Sequence, residues 1–329
     1  MNSKPRSSNH LGVWLSVLTL GMLVLAGGCG TTYLPTSVPV QPAQNIYVTQ
    51  FHSVSTFAIP AGGTFNVAPA NVISGANTTF IDAHRTAFDG SNNMYVTDIN
   101  NNSVDIFAHT ATGNVAPNAS ISGANTGLNG PSGIAIDSTG KIYICNSDSN
   151  SITVYAAGAT GNATPTITIS GANTGLEFPN GLALDANGNI YVASEDNDSI
   201  AVFNAGASGN VAPTRLISGA NALFDVPHAL VVDSTGKIYV SNADDDNVLI
   251  FAAGATGNVA PTAIIEGAAT TISHPNGIAM DAKGNLYVGN AGNGSITIFA
   301  EGATGNVAPI TTIIGANTGL STIHGVSVH

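Results

Sequence analysis

Three histidines stand at equivalent points of a repeating pattern: His84, His228 and His324, with Ser132, Asn180 and Asn276 at the same point of the other copies. Neutral imidazole is a good ligand for Zn²⁺ and similar ions, and three with an open fourth position make a catalytic metal centre. The same side chains also cap strands or satisfy loop carbonyls, so a polar ring for ligand binding is the competing reading; His274 lies beside it in the chain. A second polar set follows at a fixed offset: Gln50, Asp98, Asn146, Ser194, Asn242 and Asn290. Carboxylates cluster at Asp148, at Glu195-Asp196-Asn197-Asp198 and at Asp244-Asp245-Asp246. Such groups suit Ca²⁺, which takes six to eight oxygens. None has the spacing of an EF-hand loop, and Asp and Asn are also ordinary residues of tight turns; the turn reading is preferred. Asp89, Asp137, Asp185, Asp233 and Asp281 recur in every full copy, as folding residues do. The chain has neither a phosphate-binding Gly loop opening a helix nor a Gly-x-Ser-x-Gly elbow.

These residues need a scaffold that brings distant copies together. Tyr47, Tyr95, Tyr143, Tyr191, Tyr239 and Tyr287 are spaced 48 residues apart. Pro69 to Pro309, Asn66 to Asn306 and Gly75 to Gly315 keep the same step without insertion or deletion. Within one copy, short β-branched and aromatic runs alternate with Gly, Asn, Asp and Ser, so four strands are expected per unit. The strands lack clean apolar/polar alternation, as when both faces of a sheet are covered. Four strands and a repeat of this length predict an all-β, six-bladed β-propeller. The first copy begins at its second strand, Asn45 to Thr49, and residues 324–329 align with a lone first strand. Pairing the two closes the ring and removes an exposed edge. In such a ring the six positions from His84 to His324, and the second polar set, converge at one mouth of the central channel.

The repeat Pro-x-Gly-[Ile/Leu]-Ala-[Ile/Leu]-Asp, a Gly turn, an Ile/Leu-Tyr strand, a polar turn and a third strand resembles the NHL repeat. The match is good at residues 131–155, 179–203 and 275–299 and fair at 227–251, where Ala229 replaces the Gly. It is weaker at 84–107, where Arg85 stands in that place. The resemblance implies a propeller with function at the channel mouth. The peptide α-amidating lyases are similar in fold and hold a catalytic metal with His from several blades. Carried over, that implies His84, His228 and His324, at ring positions one, four and six, with no matching catalytic Tyr or Arg. Propeller lactonases that cage a divalent ion with Glu, Asn and Asp are also similar, but their set has no match here.

The N-terminus reads as an export signal: Lys4 and Arg6, then an apolar run from Leu11 to Ala26 shorter than a membrane span. Leu25-Ala26-Gly27-Gly28-Cys29 resembles a bacterial lipobox, which implies cleavage before Cys29 and a lipid on its sulfur. The expected organisation is a signal peptide at 1–28, a Pro-containing tether at 29–44 and the propeller at 45–329. Export to the cell envelope follows, to the outer membrane in a Gram-negative cell. Cys145, the other cysteine, occupies a repeat position otherwise held by small residues. The mature chain has five basic residues against nineteen acidic ones, a net charge of −14. That excludes nucleic acid as a partner and leaves the lipid as the membrane contact. The expectation is a monomeric binding module for a protein or carbohydrate ligand. Its rivals are a metal-dependent lyase or lactonase with Zn or Ca, and a structural envelope protein; the balance leans away from an enzyme.

Overall fold

The computed structural model describes residues 44–329; the expected signal peptide, Cys29 and nearly all of the tether lie outside them. Six antiparallel sheets surround one channel. The first blade has strands Ala83–Phe88, Asn93–Asp98, Ser103–Ala108 and Ala119–Ile121 from axis to rim. The second to fifth blades repeat this order from innermost strands Pro131–Ile136, Pro179–Leu184, Pro227–Val232 and Pro275–Met280. The sixth is built from both ends of the propeller: Gly325–Val328 innermost, then Asn45–Gln50, Ser53–Ala58 and Asn71–Ser74. Ile46 pairs Val328 and Thr49 pairs Gly325, as the complementary fragments predict. Backbone bonds from Asn45 N–H to His329 O (2.8 Å) and from His329 N–H to Asn45 O (3.1 Å) extend the seam.

The strands are short and β-branched because each is pressed between neighbours on both faces. The third strands Ser151–Tyr155, Ser199–Phe203, Asn247–Phe251 and Ser295–Phe299 are buried at every residue. Between the second and third blades, Ile152, Val154 and Ile169 pack with Leu182, Ile190 and Phe203. Burial of each such side chain stabilises the fold by roughly 1.5–3 kcal/mol.

The repeated Asp residues prove to be turn anchors. Asp89 Oδ1 accepts the N–H groups of Ser91 and Asn93, both at 2.8 Å, while its Oδ2 takes the Asn93 amide and the Tyr95 hydroxyl. Asp137, Asp185, Asp233 and Asp281 accept from the same turn N–H positions and from the same Tyr.

The repeated Gly and Asn pair across blades. Asn114 Oδ1 accepts the Asn77 N–H at 2.7 Å, just beyond Gly75, whose φ is +116°. A Cβ on Gly75 would meet the Asn114 side chain at 2.7 Å, so only Gly fits there. The same tie recurs at each boundary and closes the ring a second time, where Asn317 N–H donates to Asn66 Oδ1 at 2.8 Å.

One strand escapes the four-per-blade pattern. Gly63–Phe65 adds in parallel to Thr311–Ile313, the rim strand of the fifth blade. Elsewhere this contact is a single bridge to Gly113, Gly161, Gly209, Gly257 or Gly305. Phe65 occupies that repeat position, and with Gly63 and Thr64 extended beside it the bridge lengthens to a short strand.

Candidate functional site at the channel mouth

The innermost strands start at the mouth, so the residue opening each one projects toward the axis there. The three histidines of the expected ring come together: the His84 ring centroid lies 5.3 Å from that of His324 and 6.0 Å from that of His228. What stands among them is a guanidinium. Arg85 replaces the Gly of other blades and sends its side chain across the axis, where it is 9% exposed. Its Nη1 donates to the carbonyls of Asn276 (2.9 Å) and His324 (2.8 Å). Its Nη2 reaches Asn180 Oδ1 (3.3 Å), His228 Nδ1 (2.7 Å) and His228 O (3.2 Å). One side chain thus ties the first blade to the third, fourth, fifth and sixth. Burial lowers the Arg85 pKa to about 10, which leaves it a cation at neutral pH.

Arg85 also fixes the protonation of its neighbours. The Asn276 carbonyl lies 3.2 Å from His228 Nδ1, but the shorter 2.7 Å contact is with Arg85. Because a guanidinium only donates, that contact makes Nδ1 the acceptor and puts the proton on Nε2. That nitrogen faces Glu195 Oε1 at 3.2 Å, and the Asn180 amide donates to the same oxygen. Burial first, and then the Arg85 charge, hold His228 well below the usual imidazole range; the same two causes act on His84. Burial pushes Glu195 up to about 7, against the Asn180 hydrogen bond and the Arg85 charge. The result is a relay, Arg85 to His228 and Asn180 to Glu195, ending in a carboxyl group that titrates near neutrality. Opposite it, His324 Nδ1 lies 2.9 Å from Asp82 Oδ1, at ion-pair distance but not aligned as a hydrogen bond. Phe51, 46% exposed, meets the His324 ring edge-on with centroids 4.5 Å apart.

The remaining candidates sit deeper. Ser132 is fully buried and donates to the Pro179 carbonyl at 2.9 Å. Asp98, Asn146, Asn242 and Asn290 are 0% exposed and lie beneath the mouth loops. Each accepts a loop N–H: Asp98 from Ile81 and Asp82, Asn146 from Asn129, Asn242 from Asp225, Asn290 from Ser273. Gln50 does the same for Ser321 at 2.7 Å. At Ser194 the side chain is shorter, and its Oγ has no partner.

The three imidazoles do not fit a metal in this arrangement. The nitrogen His228 would offer toward the axis is taken by a cation, and among the described residues no three His, Cys, Asp or Glu side chains converge as a ligand set. The acidic turns form no such set either. Cys145 is fully buried, and burial pushes its thiol pKa far up, so it is a packing residue.

Asp82 and Phe51 were not singled out from the sequence, Glu195 was named only within its acidic turn, and Arg85 only as a departure from the repeat. The signal for Arg85 was present: it is the one charged residue at a position otherwise held by Gly133, Gly181, Ala229, Gly277 and Gly325.

The family model described as "Lactonase, 7-bladed beta-propeller" matches residues 33–272. The ring here closes with six blades where that description counts seven. No curated protein matches the sequence. Among solved structures, one titled as a nidogen/laminin complex is 16% identical with a TM-score of 0.61. A protein of unknown function from Bacteroides caccae is 10% identical with a TM-score of 0.62. A functionally unknown protein from Desulfotomaculum acetoxidans is 15% identical with a TM-score of 0.55. All three alignments cover 87% of this chain and 98% of the other, and they establish the fold alone.

Proposed function

From the premise that this chain belongs to the β-propeller lactonase family, we propose that the channel mouth binds a small hydroxyl-rich ligand of the carbohydrate class. The observation that carries this is where unpaired polar atoms gather. Of the buried side-chain atoms without a hydrogen-bond partner, His84 Nδ1, Arg85 Nε and Asn276 Oδ1 stand in the ring and Ser194 Oγ lies beneath it. Arg215 Nη1 and Asn247 Oδ1 lie elsewhere, and Asp82 Oδ1 and His324 Nδ1 face each other at 2.9 Å. Leaving buried polar groups unpaired costs about 1–3 kcal/mol each, a cost found at sites built to meet a ligand. Donors and acceptors are mixed, as sugar hydroxyls require, and the exposed Phe51 offers a ring for a sugar C–H face. Calorimetry with a panel of monosaccharides and sugar lactones tests the reading. Phe51→Ala and His228→Ala are expected to weaken binding at least ~10-fold. Unchanged affinity in both, or no sugar bound at all, overturns it.

The neutral-range Glu195 favours a second reading, hydrolysis of a lactone bound there. As a carboxylate, Glu195 takes a proton from water as that water attacks the lactone carbonyl, and returns it to the ring oxygen as the C–O bond breaks. The rate then rises with pH through about 7, and Glu195→Gln is expected to lower it ~100-fold or more. A flat pH profile, or full activity in that variant, excludes this role. A metal held by His84, His228 and His324 needs Arg85 to swing away; stoichiometric metal in the purified protein is the result that favours it.

The same proposal places the propeller outside the cytoplasm, made of NHL-type repeats and held to the envelope by a lipid on Cys29. The lipobox-like Leu25–Cys29 segment and the Pro-containing stretch behind it support this. Loss of membrane association in Cys29→Ala cells is the expected outcome, and an unchanged membrane fraction overturns it.

A further inference from the structure

Resting on the mouth as the binding site, we infer that its ligand carries a protonated amine and that anionic ligands are refused. Two sets of loops make the mouth face: the turns from second to third strands and the segments entering each innermost strand. Most of the nineteen acidic residues lie in them or at the rim beside them. They crowd the third and fourth blades, with Glu195, Asp196 and Asp198 in one turn, Asp225 in the segment between, and Asp244 and Asp245 in the next turn. The lysines of the propeller, Lys141, Lys237 and Lys283, all lie on the opposite face, in turns after innermost strands.

Arg85 does not offset this field for an incoming anion. Both its terminal nitrogens are committed to the protein's own carbonyls, to Asn180 and to His228, so no free fork remains for a carboxylate or phosphate. Two further observations point to a donor-rich ligand. Asn276, 8% exposed in the ring, has an amide oxygen with no partner. Glu195 makes its internal contacts through Oε1, which leaves Oε2 to accept from a ligand. An ammonium group supplies three donors and a positive charge together. At physiological salt, screening acts over ~8 Å, so an amine seated among these carboxylates is attracted by several of them.

The test is calorimetry on the full chain with glucosamine, glucose, gluconate and spermidine at low and high salt. Glucosamine is expected to bind at least ~10-fold tighter than glucose, with the advantage shrinking as salt rises, and gluconate is expected to bind weakest. Asp244→Asn combined with Asp245→Asn is expected to remove the amine's advantage and leave glucose binding as it was. Spermidine binding as tightly as glucosamine supports recognition of the ammonium itself; weak spermidine binding beside tight glucosamine supports an aminosugar. Equal binding of glucose and glucosamine overturns this inference and leaves the carbohydrate reading standing. Tighter binding of gluconate overturns it too. No sugar bound at all overturns both.

Discussion

At the scale of single residues, the mouth is a set of charges held out of their preferred states. Glu195 titrates near 7 when folded and nearer 4.5 when unfolded, so the folded chain retains its proton over that interval. The folded state binds more protons there, and stability falls as pH rises from about 4.5 to about 7. Glu195→Gln is expected to be more stable than the native chain above pH 7, by up to about 3 kcal/mol, and to lose that advantage near pH 4. Denaturant melts at the two pH values check the sign. His84 and His228 work in the opposite direction: their folded pKa values are depressed, so the stability they allow near neutrality is lost as pH falls below about 6.5. Arg85→Ala leaves the Asn276 and His324 carbonyls without their donor, and a loss of 3–5 kcal/mol is expected, roughly that of breaking a buried charged contact. It also frees His228 Nδ1, so NMR titration is expected to show the His228 pKa rising. A fold-stability change without that rise separates packing from electrostatics. Little of this was legible beforehand. The His ring was visible as a period, but Arg85 read as a flaw in one copy and Glu195 as a turn residue. Their partners lie 95 to 239 residues from Arg85 along the chain and meet only once the ring has closed.

At the scale of elements, the sequence was far more informative, because strand and turn chemistry is local. The Tyr, Asp and Gly of each copy fall where strands and turns demand them, and the copies differ little. The pairing of Gly315 with Asn66 was hidden, although both were visible as landmarks, because spacing alone cannot say that one packs on the other across a blade boundary. Gly315→Ala places a Cβ within 2.6 Å of the Asn66 side chain at a φ of +118°. A loss of roughly 1–3 kcal/mol is expected for such strain. Asn66→Ala removes the hydrogen bond to Asn317 and is expected to cost about 1 kcal/mol. Because the two act on one contact, the double variant is expected to lose less than the sum of the singles, and a thermodynamic cycle measures the difference. Full additivity would mean that the tie is not what the Gly serves. The lengthened Gly63–Phe65 contact was not legible at all, since one Phe in place of a Gly gives no strand signal.

At the scale of the whole molecule, the ring is shut twice at its ends, by Gly325–Val328 on the innermost side and by the Asn66–Asn317 bond on the rim. Deleting residues 324–329 removes the inner seam, the Arg85–His324 contact and the His324–Asp82 pair together. A large drop in melting temperature with loss of a single cooperative transition is expected; unchanged cooperative melting would show that closure rests on the rim alone. The double closure was half legible: the complementary fragments predicted the inner seam, and nothing predicted the outer one. The outer tie is the same Gly–Asn handshake that joins every other pair of neighbours, and the chain crosses this boundary as it does the rest, from Ile313 to Gly325; its break lies inside the sixth blade, between Val328 and Asn45. The molecule is in that respect a bracelet whose clasp copies its links. Joining residue 329 to residue 44 through a short linker and opening the chain at the matching turn of any other blade should therefore yield the same bracelet with its ends elsewhere.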